Sequence, residues 1–302
     1  MKRDFIELLD ITPEELHELI NRAIALKKGV DRNKCPLIGK SVGLFFEKAS
    51  TRTRVSFESA LYQLGANSIF LSPGEIQLGR GETVADTART LSLYLDGMII
   101  RTFGHARLKE FASCSSIPVI NALTDTHHPC QALADLMTIY EKKGRLEGVR
   151  VAYIGDGNNV ANSLMEGAAL AGMNISLSCP EGFEPDPLVL EKVRETAKGE
   201  ILVLREPKEA AGRADVIYTD VWVSMGQENG GEERKKRFAG YQINEALLAC
   251  ARKDVIVMHC LPAHRGEEIT SGVIDGPNSV VFEQAGNRLH TGKALLEKLL
   301  SL

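Results

Sequence analysis

The stretch SVGLFFEKASTRTRVSFESALYQL, residues 41–64, joins an apolar run, a Ser/Thr-rich loop and a helix-like pattern. Its first six residues predict a buried strand, and the apolar side chains of 57–64 recur at the spacing of one helix face. Ser50, Thr51 and Thr53 are candidate N-caps for that helix. A buried strand followed directly by an amphipathic helix is typical of parallel α/β folds.

The same stretch places two arginines, Arg52 and Arg54, in the first turn of the predicted helix. The N-terminal end of a helix carries partial positive charge and favours acidic side chains there. A bound anion would remove this conflict, because backbone N–H groups, hydroxyls and a guanidinium converge at such a junction. Solvated arginines on a capped helix are the alternative. The phosphate-loop pattern G-x-x-x-x-G-K-[ST] is absent, so a nucleotide has little support here.

The alternation of strands and helices continues along the chain. Further apolar runs predict strands at 96–102, 149–155, 174–179, 215–222 and 254–260, and amphipathic patterns predict helices at 53–64, 83–94, 130–142 and 161–172. This order predicts an α/β fold with two doubly wound parallel-sheet domains joined by bridging helices. The charged, glycine-containing segment 141–149 interrupts the pattern and predicts a domain boundary nearby, with the preceding helix bridging the two halves. The polar segment 226–237 predicts a surface loop, with a lid as the alternative.

Composition narrows the class of protein. The chain has 302 residues, enough for two domains, and a net charge of −4 gives no reason to expect nucleic-acid binding. No apolar run is long enough to span a membrane. The first ten residues, MKRDFIELLD, contain charged side chains within the first four positions and lack the apolar run of a signal peptide. Six scattered cysteines predict reduced thiols in a cytoplasmic protein. The His/Cys pairs at 127–130 and 259–260 lack the usual zinc spacing, so we expect no metal.

Polar side chains follow the strand ends of the first half. Arg101 ends one predicted strand, and ligands in open α/β sheets bind beyond such ends. Pro129 suits the first position of the next helix, where His128 and Gln131 project from the same side. A histidine beside arginines would tend to stay neutral. A salt-bridged arginine and a capping histidine are the alternative interpretations.

The second half offers a glycine turn at GDGNN. Gly155 and Gly157 match part of the dinucleotide pattern G-x-G-x-x-G, but Val160 holds the third glycine position. An NAD-dependent oxidoreductase is therefore a remote alternative. The turn presents Asn158 and Asn159, whose amides can bond a small polar ligand.

Two more strand ends carry chemistry in this half. Asp220 ends a strand and could hold an ammonium group. Cys260 ends the last strand and is either an inert small hydrophobe or, in cationic surroundings, a thiolate.

Four motifs resemble the signature set of ornithine carbamoyltransferases, in that family's order along nearly the whole chain. They are STRTR (50–54), HPCQ (128–131), DVWVSMGQE (220–228) and HCLPAHRGEEIT (259–270). The first two resemble the wider aspartate/ornithine carbamoyltransferase superfamily. SMG and HCLP resemble the ornithine branch in particular.

The resemblance implies a carbamoyl-phosphate-binding domain over 1–130, an ornithine-binding domain over 131–285, and a C-terminal helix, 286–302, that packs back on the first. It implies a homotrimer or a multiple of trimers, with active sites at subunit boundaries and no cofactor. The implied reaction gives L-citrulline and phosphate by direct attack of the L-ornithine side-chain amine on carbamoyl phosphate, through a tetrahedral intermediate. It would serve arginine biosynthesis, with arginine breakdown as the alternative that the sequence leaves open. A transcarbamoylase acting on putrescine or acetylornithine is the alternative.

The resemblance also implies roles for individual residues. Carbamoyl phosphate would contact Ser50, Thr51, Arg52, Thr53, Gln77 of a neighbouring subunit, Arg101, His128, Gln131, Cys260, Leu261 and Arg288. Ornithine would contact Asn159, Asp220, Ser224 and Met225, with Cys260 and Leu261 beside its side-chain amine. The catalytic residues would be Arg52, Arg101, His128 and Cys260. Arg54 is expected to brace the loop rather than touch the substrate.

Overall fold

The computed structural model describes residues 2–31, 33–74, 81–223 and 231–301. The chain forms two compact units, which we call unit 1 (Met1–Met137 with Gly286–Leu302) and unit 2 (Thr138–Ala285). The first division falls about two helical turns after the expected position at 130–131, because one helix runs unbroken from Pro129 to Lys143.

In the described part of the chain, helices and strands alternate after a 3₁₀ turn at Leu8–Asp10, except that two successive helices separate the last two strands and two more follow the last strand. The strands are β1 (Ser41–Phe46), β2 (Asn67–Leu71), β3 (Gly97–Arg101), β4 (Val119–Leu123), β5 (Arg150–Ile154), β6 (Asn174–Ser178), β7 (Ile201–Leu204), β8 (Val216–Thr219) and β9 (Ile256–His259). The helices are α1 (Pro13–Lys27), α2 (Thr51–Leu64), α3 (Val84–Leu91), α4 (His105–Cys114), α5 (Pro129–Lys143), α6 (Asn159–Ala171), α7 (Pro187–Thr196), α8 (Pro207–Ala211), α9 (Gly231–Arg237), α10 (Glu245–Leu248), α11 (Ser271–Ile274) and α12 (Val281–Leu300).

Unit 1 is built on a parallel sheet with strand order β2-β1-β3-β4. Strand β1 is interior to the sheet and almost wholly buried, which explains its unbroken apolar run. Helix α2 follows it as predicted: the Ser50 hydroxyl accepts a hydrogen bond from the Thr53 N–H at 3.3 Å, and Gly65 ends the helix with φ of 85°. Phe45, Met98 and other apolar side chains of the sheet pack in one core cluster with α3 and α4.

Unit 2 is built on a parallel sheet with strand order β7-β6-β5-β8-β9. In each sheet the order reverses beside the first strand, between β1 and β3 in unit 1 and between β5 and β8 in unit 2. Ligands in open α/β sheets bind at the carboxyl ends of strands at such switch points. STRTR follows β1, the glycine turn GDGNN follows β5 and DVWVSMGQE follows β8, whereas HPCQ follows the neighbouring strand β4 and HCLP begins at the last residue of the neighbouring strand β9. The topology therefore selects one place in each unit where function is expected.

The glycine turn after β5 has a structural cause. A Cβ atom at Gly157 would lie 2.3 Å from the Pro185 backbone nitrogen and 2.4 Å from the Glu184 carbonyl carbon. Backbone cannot yield as a flexible side chain can, so this position requires glycine. The close packing of residues 184–185 therefore accounts for Gly157 without a dinucleotide.

Three features differ from the sequence expectations. The loop predicted at 226–237 is wrong for 231–237, which form α9, with glutamates in the first turn and basic residues in the last as the helix dipole favours. Residues 226–230 lie outside the described residues. The predicted strands also omit β2 and β7, which are half-exposed edge strands, and β4, which is buried but only five residues long. None of the helices that the structure describes is long and apolar enough to cross a membrane.

Candidate active site

The first turn of α2 separates its two arginines. Arg52 is exposed and forms no hydrogen bond or ion pair with any residue that the structure describes. Arg54 pairs with Glu58 one turn later, with Nε and Oε1 2.9 Å apart, and its guanidinium lies 3.6 Å from the centroid of the Phe70 ring. The first turn contains no acidic residue. Arg52 is thus available to an anion, whereas Arg54 is engaged in contacts within unit 1.

A buried guanidinium joins three helices of unit 1. Arg288 on α12 donates hydrogen bonds to the Gln131 side-chain oxygen on α5 and, at 3.2 Å, to the Thr53 hydroxyl on α2. The Gln131 amide nitrogen donates in turn to Asp135 at 2.8 Å. These two partners of Arg288 are neutral, so they satisfy hydrogen bonds without cancelling the charge. The structure thereby brings together three residues that the sequence placed far apart.

His128 and Arg101 are both buried in the same unit. Burial lowers the pKa of His128 well below its usual value, and the charges of Arg288 and Arg101 lower it further. The imidazole is therefore neutral near pH 7, as its arginine neighbours suggested, and can donate one N–H to a carbonyl oxygen. The neighbouring Cys130 is inert by contrast: burial raises the pKa of its thiol to about 12, and the thiol donates to the Asn121 carbonyl.

In unit 2, Asn158 has a use that sequence reasoning did not assign. Its side-chain oxygen caps α6 by accepting the N–H groups of Val160 and Ala161, and its amide nitrogen donates to Asp220 at 2.8 Å. Asn158 therefore fixes the orientation of the Asp220 carboxylate. Asn159 is the first residue of α6. The cap was readable from the sequence, since asparagine before a helical pattern is a common N-cap, but its bond to Asp220 was not.

Cys260 lies beside a carboxylate. Its thiol donates to Asp220, with Sγ and Oδ1 2.9 Å apart. Cationic surroundings would have yielded a thiolate, but the neighbour of this thiol is an acidic side chain that accepts its hydrogen bond. The next residue, Leu261, has a left-handed backbone with φ of 59°, and its N–H donates to His259 Nδ1 at 2.8 Å. His259 in turn contacts Glu268 through Nε2 at 3.1 Å, so these bonds hold the turn that presents Leu261.

The side chains of Asp220, His259 and Cys260 offer ligand atoms within 4.8 Å of one another, as a metal site would. In this arrangement, however, the thiol is bonded to Asp220 and both ring nitrogens of His259 are hydrogen-bonded within unit 2. A thiol that donates to a carboxylate carries its proton, whereas the thiolate is the form that binds metals, so this cluster is a poorer metal site than its spacing suggests.

A second carboxylate of unit 2 was missed by sequence reasoning. Asp156, after β5, accepts a hydrogen bond from Arg234 on α9, and Arg234 also donates to the Trp222 carbonyl and lies over the Phe183 ring. Burial raises the pKa of Asp156 to about 6, Arg234 opposes this shift, and the negative charge of Asp220 adds to it. The ion pair between Arg234 and Asp156 anchors α9, which follows residues 224–230 in the sequence. Asp156 and Arg234 are 78 residues apart in the sequence, and no short motif indicates that they are in contact.

Three candidates lie outside the described residues: Gln77, Ser224 and Met225.

Comparisons with known proteins agree along the whole chain. Residues 3–141 match the family model of the aspartate/ornithine carbamoyltransferase carbamoyl-P binding domain, and residues 147–299 match that of the Asp/Orn binding domain. The ornithine carbamoyltransferase of Syntrophus aciditrophicus is 53% identical over 302 residues, which cover 99% of this chain and 100% of that protein. The solved ornithine carbamoyltransferase of Pyrococcus furiosus has a TM-score of 0.94 and 48% identity, covering 99% of this chain and 97% of the other. That of Gloeobacter violaceus has a TM-score of 0.90 and 50% identity, covering 99% of each chain.

The raised pKa of Asp156 predicts a pH-dependent stability. Between its usual pKa of 3.8 and about 6, the folded protein binds a proton at Asp156 that the unfolded chain does not. The contribution of this group to the unfolding free energy therefore rises as the pH falls through that window, by up to about 3 kcal/mol for a shift of about two units. Asp156→Asn should remove this rise, measured by urea denaturation at both ends of the window.

Asp254→Asn is the control, since Asp254 is exposed and the neighbouring Lys143 lowers its pKa instead. The Asp254→Asn variant should keep the rise in unfolding free energy that Asp156 causes as the pH falls. An Asp156→Asn protein whose stability varies with pH as the wild type does would contradict the assignment.

Proposed function

This chain belongs to the aspartate/ornithine carbamoyltransferase family, and we propose that it transfers the carbamoyl group of carbamoyl phosphate to the side-chain amine of L-ornithine, giving L-citrulline and phosphate. The observation that carries the proposal is its similarity over nearly its whole length to ornithine carbamoyltransferases of known sequence and structure. The SMG and HCLP motifs, which resemble the ornithine branch, support the same amine substrate.

Unit 1 has the groups that carbamoyl phosphate requires. The exposed Arg52 at the start of α2, together with the backbone N–H groups of that turn, suits a phosphate group. Ser50 and Thr51 supply hydroxyls beside it. The buried Arg101 and Arg288 add positive charge, which is evident in their effect on the pKa of His128. We assign the phosphate to the first turn of α2 and the carbamoyl oxygen to the buried group of Arg101, His128 and Arg288.

The reaction is the attack of a neutral amine on the carbamoyl carbon. A C–N bond forms, the carbonyl oxygen becomes an oxyanion in a tetrahedral intermediate, and the C–O bond to phosphate then breaks with its electron pair leaving on phosphate. Arg52 and Arg101 offset the charge on the oxygens, and the neutral His128 donates an N–H to the carbonyl oxygen. Gln131, held by Arg288 and Asp135, is placed to position the carbamoyl group.

The attacking amine must lose a proton. The sequence offers Cys260 or the departing phosphate as the acceptor. Because the Cys260 thiol donates to Asp220, it already carries a proton and is a poor acceptor. This contact supports the departing phosphate as the base, with the thiol steadying the amine.

Unit 2 has the opposite charge character and suits a cationic amino acid. Asp220 is oriented by Asn158 and lies close enough to Asp156 to raise its pKa. We assign the α-ammonium group of ornithine to Asp220, with Asn159 of the same turn as a further contact. Ser224 and Met225 remain assigned to ornithine on the family motif alone.

We further propose a role in arginine biosynthesis in the cytoplasm. The role follows from the product, citrulline. The location is supported by the cysteines, none of which forms a disulfide in a chain with six of them.

A product assay tests the amine substrate. With carbamoyl phosphate present, the protein is incubated separately with ornithine, putrescine, acetylornithine and aspartate, and each carbamoylated product is quantified. We expect citrulline from ornithine and little product from the other three amines. Turnover of another amine without turnover of ornithine would overturn the substrate assignment while leaving the family assignment intact.

Replacing Arg52 tests the phosphate assignment. Arg52→Ala should lower kcat/KM for carbamoyl phosphate by about 10²–10³-fold, as removal of one oxyanion-stabilising donor typically does. Arg54→Ala is the matched control, and its loss should be much smaller because Arg54 contacts Phe70 and Glu58. Equal losses in the two variants, measured by steady-state kinetics with carbamoyl phosphate varied, would contradict the division of roles.

We also expect a homotrimer or a multiple of trimers. Unit 1 exposes large apolar side chains, among them Tyr62, Leu93 and Tyr94, and such surface groups often mark protein interfaces. Light scattering coupled to size-exclusion chromatography should give a mass that is a multiple of three times the 33.0 kDa chain. A monomer or dimer mass at micromolar concentration would refute this assembly.

A further inference from the structure

We propose that Glu7, His105 and His127 of unit 1 form a binding site for a divalent transition-metal ion, and that zinc is the ion it suits best. Two imidazoles and one carboxylate are a common ligand set for zinc, with water as the fourth ligand. The ligand atoms of the three side chains lie within 4.8 Å of one another. None of the three has a part in the carbamoyl transfer proposed above.

The fold brings these residues together from three places in the chain. Phe5 forms a parallel bridge with Ile120, so the N-terminal segment runs alongside β4 and carries Glu7 to the carboxyl end of the sheet. His105 begins α4 directly after β3, and His127 lies in the turn between β4 and α5. The cluster therefore occupies the sheet edge at which α/β proteins bind ligands.

One pair of atoms is already at the spacing of two zinc ligands. His105 Nε2 lies 3.1 Å from Glu7 Oε1. Two ligands of one tetrahedral zinc ion lie about 3.3 Å apart, given bond lengths of about 2.0–2.1 Å. The ligand atom of His127 lies within 4.8 Å of the other two, so all three side chains converge on one place.

Both imidazoles are held through hydrogen bonds to hydroxyls. His105 Nδ1 lies 3.0 Å from the Thr124 hydroxyl, and His127 Nδ1 lies 2.9 Å from the Thr126 hydroxyl. Metal-binding histidines usually have one ring nitrogen fixed by such a bond while the other faces the ion. The two rings also lie close together, with centroids 4.6 Å apart. Their orientation is therefore set in the way a metal site requires.

The charges of the cluster also favour a cation. Glu7 is only 6% exposed, and a buried carboxylate needs positive charge nearby. The ammonium group of Lys109 contacts the same Oε1 atom that faces His105. The Lys109 side chain is 54% exposed, so it can turn towards solvent when an ion takes its place. Lys109 is thus a competitor of the metal at Glu7.

Cobalt titration of the full chain, with Co²⁺ replacing Zn²⁺ as a spectroscopic probe, locates the ion. Binding at Glu7, His105 and His127 should give visible d–d bands without a thiolate charge-transfer band in the near ultraviolet. Binding at Asp220, His259 and Cys260 would add that thiolate band. The spectrum therefore distinguishes the proposed site from the one in unit 2.

Four variants then test the ligands by zinc competition against a chromophoric chelator. Glu7→Gln and His105→Gln should each weaken zinc binding by at least about tenfold, since even residues that only orient metal ligands usually contribute that much. His17→Gln, which removes an exposed histidine on α1, is the matched control and should leave the affinity unchanged. Lys109→Gln should tighten binding, because it removes the competing cation.

The Lys109→Gln substitution changes a half-exposed side chain, so this variant is expected to fold. It therefore still tests the site if Glu7→Gln or His105→Gln fails to fold. Cobalt absorption dominated by a thiolate band would overturn the proposal. So would zinc affinity that Glu7→Gln and His105→Gln leave unchanged, or that Lys109→Gln weakens.

Discussion

The buried guanidinium of Arg288 is the interaction on which the arrangement of unit 1 depends. A buried charge is costly unless it is hydrogen-bonded, and Arg288 bonds to Gln131 on α5 and Thr53 on α2. It thereby ties the C-terminal helix to the two helices that carry STRTR and HPCQ. The positive charge of Arg288 also lowers the pKa of His128. One side chain thus joins the helices and sets the charge of the site.

The two units have opposite electrostatic characters, and these match the two substrates. In unit 1, burial together with the charges of Arg288 and Arg101 keeps the imidazole of His128 neutral, and the two guanidinium groups suit an anionic acyl phosphate with a polar carbonyl. In unit 2, burial raises the pKa of Asp156 and the carboxylate of Asp220 adds to that rise, so two acidic side chains lie near each other. An amino acid with two amino groups is the complementary ligand. The assignment of one substrate to each unit therefore has a physical basis besides the family resemblance.

The fold was largely readable from the sequence, and the contacts of the site were only partly so. Buried strands such as β1 are continuous apolar runs, and Pro129 and Ser50 marked helix starts where the structure has them. Edge strands β2 and β7 lack that signal because they are half exposed. The charged segment that forms α9 was predicted as a loop because it has no apolar periodicity. Its helix is anchored instead by contacts of Arg234 with residues distant in the sequence, which no local pattern reveals. Asn158 was visible as a cap, but its bond to Asp220 depends on tertiary structure.

The two arginines of STRTR show why local rules identify a site without describing it. Both oppose the dipole of α2, so each needs compensation. Arg54 obtains it within unit 1, from the carboxylate of Glu58 and the face of the Phe70 ring. Arg52, two residues earlier, has no such contact among the described residues, although an exposed side chain there could have been replaced by an acidic one at no structural cost. The unfavourable placement of Arg52 therefore supports the proposal that a bound anion supplies the missing negative charge, whereas Arg54 is compensated by the protein itself.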